Sequence, residues 1–381
     1  MGPRRDGAFA LVRRLSREGP GSMALLWVSM RQEDSGLIAR RLTATSPHFL
    51  TRTPAAGPCE CLRTCEPVQL PMPLTSVATP RLSIALGEGV SGRFEVGLPV
   101  LAGQTEEKLF GSARPAGQSG AITLFQTDRW LLGAATVPLT PGLEEASRLL
   151  YQDIFAAVGD RHLARVWNYV PAINETGPAE LENYRVFCRG RSLAFEEHYG
   201  GGFQTLLPAA SAVGTHAPAL TIAFAACLAD TRYVENPLQV PAYAYPPEHG
   251  PRSPSFSRAT VVSQGDRSTV FVSGTAAIRG HVTIAPDHLA AQLECTLENL
   301  DGISAACRLG PSLKQVAGRA RHFKVYLRHA ADQVAVADAL AQRLLTEADE
   351  VSYVQADLCR AELLVEIEAS LFGVAPADSG G

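Results

Sequence analysis

RVWNYVPAIN, residues 165–174, and FKVYLRHAAD, residues 323–332, follow one pattern. Each is an alternating apolar run with an aromatic residue partway along, followed by a polar turn that opens a helical pattern. Around the first copy, 121–125 and 130–135 read as a hairpin. Residues 143–158 read as a helix with Leu143, Leu150 and Ile154 near one stripe and Gly159 as the stop signal. A strand over 163–170, a helix over 179–197 and an apolar strand over 220–227 complete that half. Around the second copy, 270–273 is a strand and 277–284 continues its sheet. Residues 287–301 form a helix whose Leu289, Leu293, Leu297 and Leu300 share one face. A strand at 323–328, a helix at 332–345 and strands at 351–356 and 362–368 follow. Two tandem ββαβαβ units of the α+β class are therefore expected, each a mixed sheet with helices on one face and a ligand cleft between the halves.

The expected boundaries are an extension and linker over 1–75, an N-terminal unit over 76–228 and a C-terminal unit over 229–375. Strands at 82–86 and 93–96 open the first unit. Residues 1–22 read as a disordered extension, with Met23 as a more ordinary start. The hydrophobic share of 46% against 19% charged residues is that of a chain with a sizeable core. A net charge of −4 gives no electrostatic case for nucleic acid or an anionic membrane as partner. No apolar run reaches the ~20 residues of a membrane-spanning helix. The eight cysteines, scattered through a long chain, read as reduced thiols in a cytoplasmic protein. Cys59, Cys61 and Cys65 cluster, but no fourth ligand stands at zinc spacing, so no metal site is expected. No nucleotide or flavin motif is present and no cofactor is expected; monomer and homo-oligomer stay open.

Five blocks carry a family resemblance: WNYVPAIN (167–174), YRVFCRGR (184–191), YVENPLQVPAYAYPPEHGPRSPSFSRA (233–259), VSGTAAIRGH (272–281) and CRAELLVEIEASL (359–371). The last resembles the closing strand of the small Rid (YjgF-type) proteins. Together, over roughly 80–370, the blocks resemble the chorismatases, a family built from two Rid-like halves. That resemblance implies chorismate as the small-molecule substrate, with pyruvate released from its enolpyruvyl ether. Two substrate carboxylates call for planar guanidinium clamps, and the resemblance points to Arg191 and Arg258. Tyr184 and Tyr245 are carried over as hydrogen-bonding partners, and Glu366 as the general acid that protonates the methylene carbon. Partial burial would raise its pKa in the required direction. Glu362 and Glu368 read as structural or surface residues, His281 as a structural histidine, and Tyr326 and Arg328 as second-tier cleft residues.

Within the family, a glycine in the VSGTA strand and a cysteine seven residues before the glutamate mark the hydroxybenzoate-forming branch. Gly274 and Cys359 match it. The expected product is 3-hydroxybenzoate, with or without 4-hydroxybenzoate; hydrolysis to a dihydroxycyclohexadiene carboxylate is the first alternative. A Rid-type enamine or imine deaminase and a non-catalytic binding module are the readings from other classes.

Overall fold

The computed structural model describes residues 79–89, 92–177, 180–318 and 320–375. The expected extension over 1–22, all but the end of the linker, and Cys59, Cys61 and Cys65 lie outside the described residues. In chain order the elements are β1 (Arg81–Ala85), β2 (Arg93–Gly103), β3 (Glu106–Glu107), β4 (Arg114–Ser119), β5 (Ile122–Gln126), β6 (Leu131–Pro138), α1 (Leu143–Val158), β7 (His162–Pro171), α2 (Asn183–Tyr199), β8 (Ala209–Thr215) and β9 (Ala219–Cys227). Then come β10 (Thr231–Val234), β11 (Ala259–Gln264), β12 (Arg267–Ala276), β13 (Ile278–Arg279), β14 (Val282–Thr283), α3 (Leu289–Ala306), β15 (Ala320–Leu327), α4 (Gln333–Arg343), β16 (Glu350–Gln355) and β17 (Val365–Val374).

The repeat is written in the strand order. One sheet runs β4-β5-β6-β9-β7-β8, and the other contains β10-β11-β12-β17-β15-β16, the same order with each strand replaced by its counterpart. β7 pairs with β8 in parallel and β15 with β16 in parallel, while the other neighbours in both runs are antiparallel. Each copy is thus βββαβαββ. α1 and α2 pack on the outer face of the first sheet, and α3 and α4 on the outer face of the second. The inner faces meet through Trp130, Trp167, Phe271 and Phe372, which contact one another edge-on or through Phe110. A sheet buried on both faces needs apolar residues throughout, and all ten residues of β17 are buried.

Three details depart from the sequence reading. β1, β2 and β3 do not open the first sheet. β2 pairs antiparallel with β16 and extends the second sheet to nine strands, so residues 81–107 satisfy the free edge of the C-terminal unit. Residues 278–283 form a separate ribbon, β13–β14, because β17 starts at Val365 and no strand remains for the chain to pair with beyond Ala276. α2 starts at Asn183 rather than 179, after a turn closed by the Thr176–Glu182 bridge. β4 and β8 were not legible: β4 is largely exposed and β8 is AASAVGT, too small in side chain to show alternation.

Candidate active site

β17 places Glu366 and Glu368 two residues apart, so both point from one face into the layer between the sheets. Glu368, read from sequence as structural or surface, is 4% exposed and the centre of a charge network. Arg165 Nη2 lies 2.6 Å from its Oε2, and Lys324 Nζ 3.2 Å from its Oε1. Trp167 Nε1 donates to Oε1 at 2.8 Å and the Tyr326 hydroxyl to Oε2 at 3.0 Å. Burial alone would raise this carboxyl. Arg165 and Lys324 outweigh it, Ser211 and Tyr326 add hydrogen bonds, and the pKa is held down at about 2. Lys324 also pairs with Glu107 of β3 at 2.7 Å and donates to the Tyr169 hydroxyl at 3.1 Å.

Glu366 has the opposite environment. It is 3% exposed, and among the described residues its carboxyl has no hydrogen-bond partner. Burial, reinforced by the charge of Glu368, pushes its pKa up to about 8; Arg165 and Arg258 only partly offset this. At neutral pH Glu366 is therefore a carboxylic acid and Glu368 a carboxylate, a division of roles set by environment alone.

Gly274 makes room for that acid. Between Val272 and Thr275 the β12–β17 register shifts, which sets Ser273 and Gly274 in a bulge. A Cβ on Gly274 would stand 1.9 Å from Glu366 Oε1. The glycine yields space to the carboxyl.

Arg258 follows the long loop 235–257 at the start of β11. It is buried; its Nη2 donates to the Tyr245 hydroxyl at 2.8 Å and to Val240 O at 3.1 Å. Its guanidinium lies over Phe256 at 5.1 Å, and Glu235 is 4.0 Å from Nε. Burial raises Glu235 to about 7, with Arg258 acting in the other direction. Arg191 on α2 is 2% exposed and stacked over Tyr151 at 5.1 Å. It acts on Cys188 and Tyr151 rather than on Glu366. Among the described residues, Arg165 Nε and Nη1, Arg191 Nε and Nη2, and Arg258 Nε have no hydrogen-bond partner. Buried guanidinium N–H groups left idle are acceptor-seeking.

Cys359 lies on the partly exposed loop before β17, close enough to Glu366 for the carboxylate charge to act on it. Burial first, then Glu366, pushes the thiol well up, so it is protonated. Tyr184 on α2 neighbours Cys188, Cys359 and Arg360, and burial raises its hydroxyl. Tyr326 serves Glu368. Arg328 is largely engaged: it donates to Leu363 O at 2.7 Å, Asp357 Oδ1 at 2.7 Å, Asn174 Oδ1 at 3.2 Å and Arg360 O at 2.9 Å. It fastens the Cys359 loop with four of its five N–H groups, leaving one on Nη1. Glu362 accepts from Thr283.

The structure thus gathers Glu366, Gly274, Arg258 and Tyr245, with Cys359 and Tyr184 adjoining and Arg191 farther along α2. Arg165, Lys324, Glu107, Glu235 and Glu368 were missed. Arg165 and Lys324 had a signal: each is a cation in register with the inward apolar residues of its strand, where an unpaired charge is costly. A depression of about 550 Å³ lined by Trp130, Cys227, Val262 and Gly265 lies elsewhere on the seam. Its Val262 pairs with Thr269, five residues before Gly274 along β12 and so about 16 Å away at 3.3 Å per strand residue.

Residues 109–226 match the family described as "Chorismatase FkbO/Hyg5-like, N-terminal". A chorismatase of Streptomyces rapamycinicus is 38% identical over 264 residues, covering 67% of this chain and 78% of that protein. A 3-hydroxybenzoate synthase of Streptomyces hygroscopicus is 36% identical over 263 residues, covering 66% and 76%. A chorismatase crystal structure superposes with a TM-score of 0.64 at 28% identity, over 79% of this chain and 96% of the other.

Proposed function

This chain belongs to the chorismatase family of enzymes, and from that premise we propose that it cleaves the enolpyruvyl ether of chorismate with Glu366 as the general acid. The observation that carries this is the pairing on β17: a buried carboxyl, without hydrogen-bond partners among the described residues, raised to about 8, two residues from one lowered to about 2. A vinyl ether is cleaved by protonating its terminal methylene carbon, which leaves an oxocarbenium ion. Carbon is a slow proton acceptor, and an acid that is neutral at working pH and stripped of competing acceptors suits it. The resulting Glu366 carboxylate and the cation neutralise each other, and Arg165 and Arg258 stand by.

Arg258, braced by Tyr245, is the nearer carboxylate clamp and Arg191 the farther one, with Tyr184 as a hydrogen-bond donor between loop and helix. The proposed product is 3-hydroxybenzoate. The neighbouring ring hydroxyl attacks the ether-bearing carbon and gives its proton to the Glu366 carboxylate, the C–O bond to the carbon breaks with its electron pair passing to the cation, and pyruvate departs. The protonated Cys359 thiol then donates as the strained ring ether opens, and loss of a ring proton aromatises the product. The name of the Streptomyces hygroscopicus relative and the pair Gly274 and Cys359 favour this branch over water attack.

The test is pyruvate release from chorismate, coupled to lactate dehydrogenase, with chromatography of the aromatic product. The wild type is expected to release pyruvate and 3-hydroxybenzoate, and Glu366→Gln to lose at least about 100-fold in kcat, the low end of general-acid contributions. Near-normal turnover by Glu366→Gln removes that residue from the role.

A further inference from the structure

Outside the site just described, Glu248, His249 and His281 converge. Glu248 and His249 sit in one 3-10 turn, Pro247–His249, stiffened by Pro246 and Pro247. His281 occupies the turn of the β13–β14 ribbon, which is tied to the same loop by Val240 N–H to Gly280 O at 2.9 Å and Gly280 N–H to Leu238 O at 3.0 Å. His249 Nε2 lies 3.0 Å from His281 Nδ1, and Glu248 Oε1 lies 3.6 Å and 3.5 Å from those two atoms.

We propose that these three side chains form a binding site for a divalent transition-metal ion of the zinc class. The point equidistant from the three donor atoms stands about 2.0 Å from each, which is the Zn–N and Zn–O bond length. The sides of the triangle bracket the ~3.3 Å that separates ligands of a tetrahedral zinc. Two imidazoles with one carboxylate are a donor set for zinc, nickel or iron rather than for magnesium or calcium. Glu248 is 66% exposed, so an ion enters from solvent and its fourth position faces water. The Tyr245 ring is 5.1 Å from His249 and 6.4 Å from His281. A bound ion therefore staples the Tyr245 loop to the β13–β14 ribbon, in a structural role. The spacing hid this in the sequence: 32 residues separate His249 from His281.

The competing account is a plain hydrogen bond between two imidazoles. Zinc titration calorimetry and metal analysis on the chelator-stripped full chain separate the two, in a Cys59→Ser, Cys61→Ser, Cys65→Ser background that removes three neighbouring thiols as competing zinc ligands. One zinc per chain is expected, lost in His249→Ala and in His281→Ala. Glu248→Gln, on an exposed side chain, folds whatever the histidine variants do. It is expected to weaken binding at least about tenfold, the scale on which even outer-sphere partners count. Absence of zinc binding in the parent chain, zinc binding that survives His281→Ala, or unchanged affinity in Glu248→Gln overturns the proposal.

Discussion

Glu366 and Gly274 divide one space between them. A methyl group on residue 274 would sit 1.9 Å from Glu366 Oε1, well inside contact distance, so Gly274→Ala displaces the carboxyl. The expected result is a fall in pyruvate release of at least about tenfold, the scale on which small misplacements of reacting groups count, measured by the coupled assay. Wild-type turnover in a correctly folded Gly274→Ala would show that the carboxyl works from another position. In the sequence the glycine stood only as a branch marker carried by the resemblance; the space that its missing Cβ leaves is filled by the acid. Tyr245 and Arg258 came from the family resemblance, and the fold brings them into contact at 2.8 Å. Arg328 was read as a second-tier cleft residue; its end-of-strand position suits a cleft residue and a loop clamp equally, and its four acceptors show that it does clamp the loop.

β17 carries the division of labour between the carboxylates. Its alternation put Glu366 and Glu368 on one face in the sequence, but a solvated face and a charged interior layer look alike until the cations opposite are known. Those cations come from β7 and β15, in sheets that meet only after folding. Charge repulsion from Glu368 helps keep Glu366 protonated, so Glu368→Gln is expected to move the basic limb of the kcat/KM pH profile from near 8 to lower pH. Removing one partner also strands Arg165 and Lys324, at about 3–5 kcal/mol for a broken buried pair, measurable by urea unfolding. An unmoved basic limb in a folded Glu368→Gln would detach the two carboxylates from each other. The counterparts in the first copy, by ladder position, are Thr221 and Ala223, so the duplicated fold keeps the carboxyl pair in one half only.

Over the whole molecule, the acid is held at a cost in stability. An unfolded glutamate titrates near 4.5 and the folded Glu366 near 8. The unfolded chain therefore loses this proton first as pH rises. The contribution of Glu366 to folding is fully present below about 4.5 and is lost as pH climbs to about 8. Glu366→Gln is expected to be more stable than the wild type at pH 8, by on the order of 2–4 kcal/mol, with the gap closing toward pH 5. A gap that does not change with pH would contradict a raised acid. The tandem plan was legible because periodicity survives at the scale of elements. The nine-stranded extension was not, since nothing local in residues 81–107 says which sheet edge they will find. The central claim is a neutral carboxylic acid at position 366 in the folded protein. Its most direct test is the infrared difference spectrum, wild type minus Glu366→Gln, followed through a pH titration. A protonated-carboxyl C=O band present at pH 7 and fading with a midpoint near 8 is predicted; a spectrum at pH 7 showing only carboxylate would contradict it.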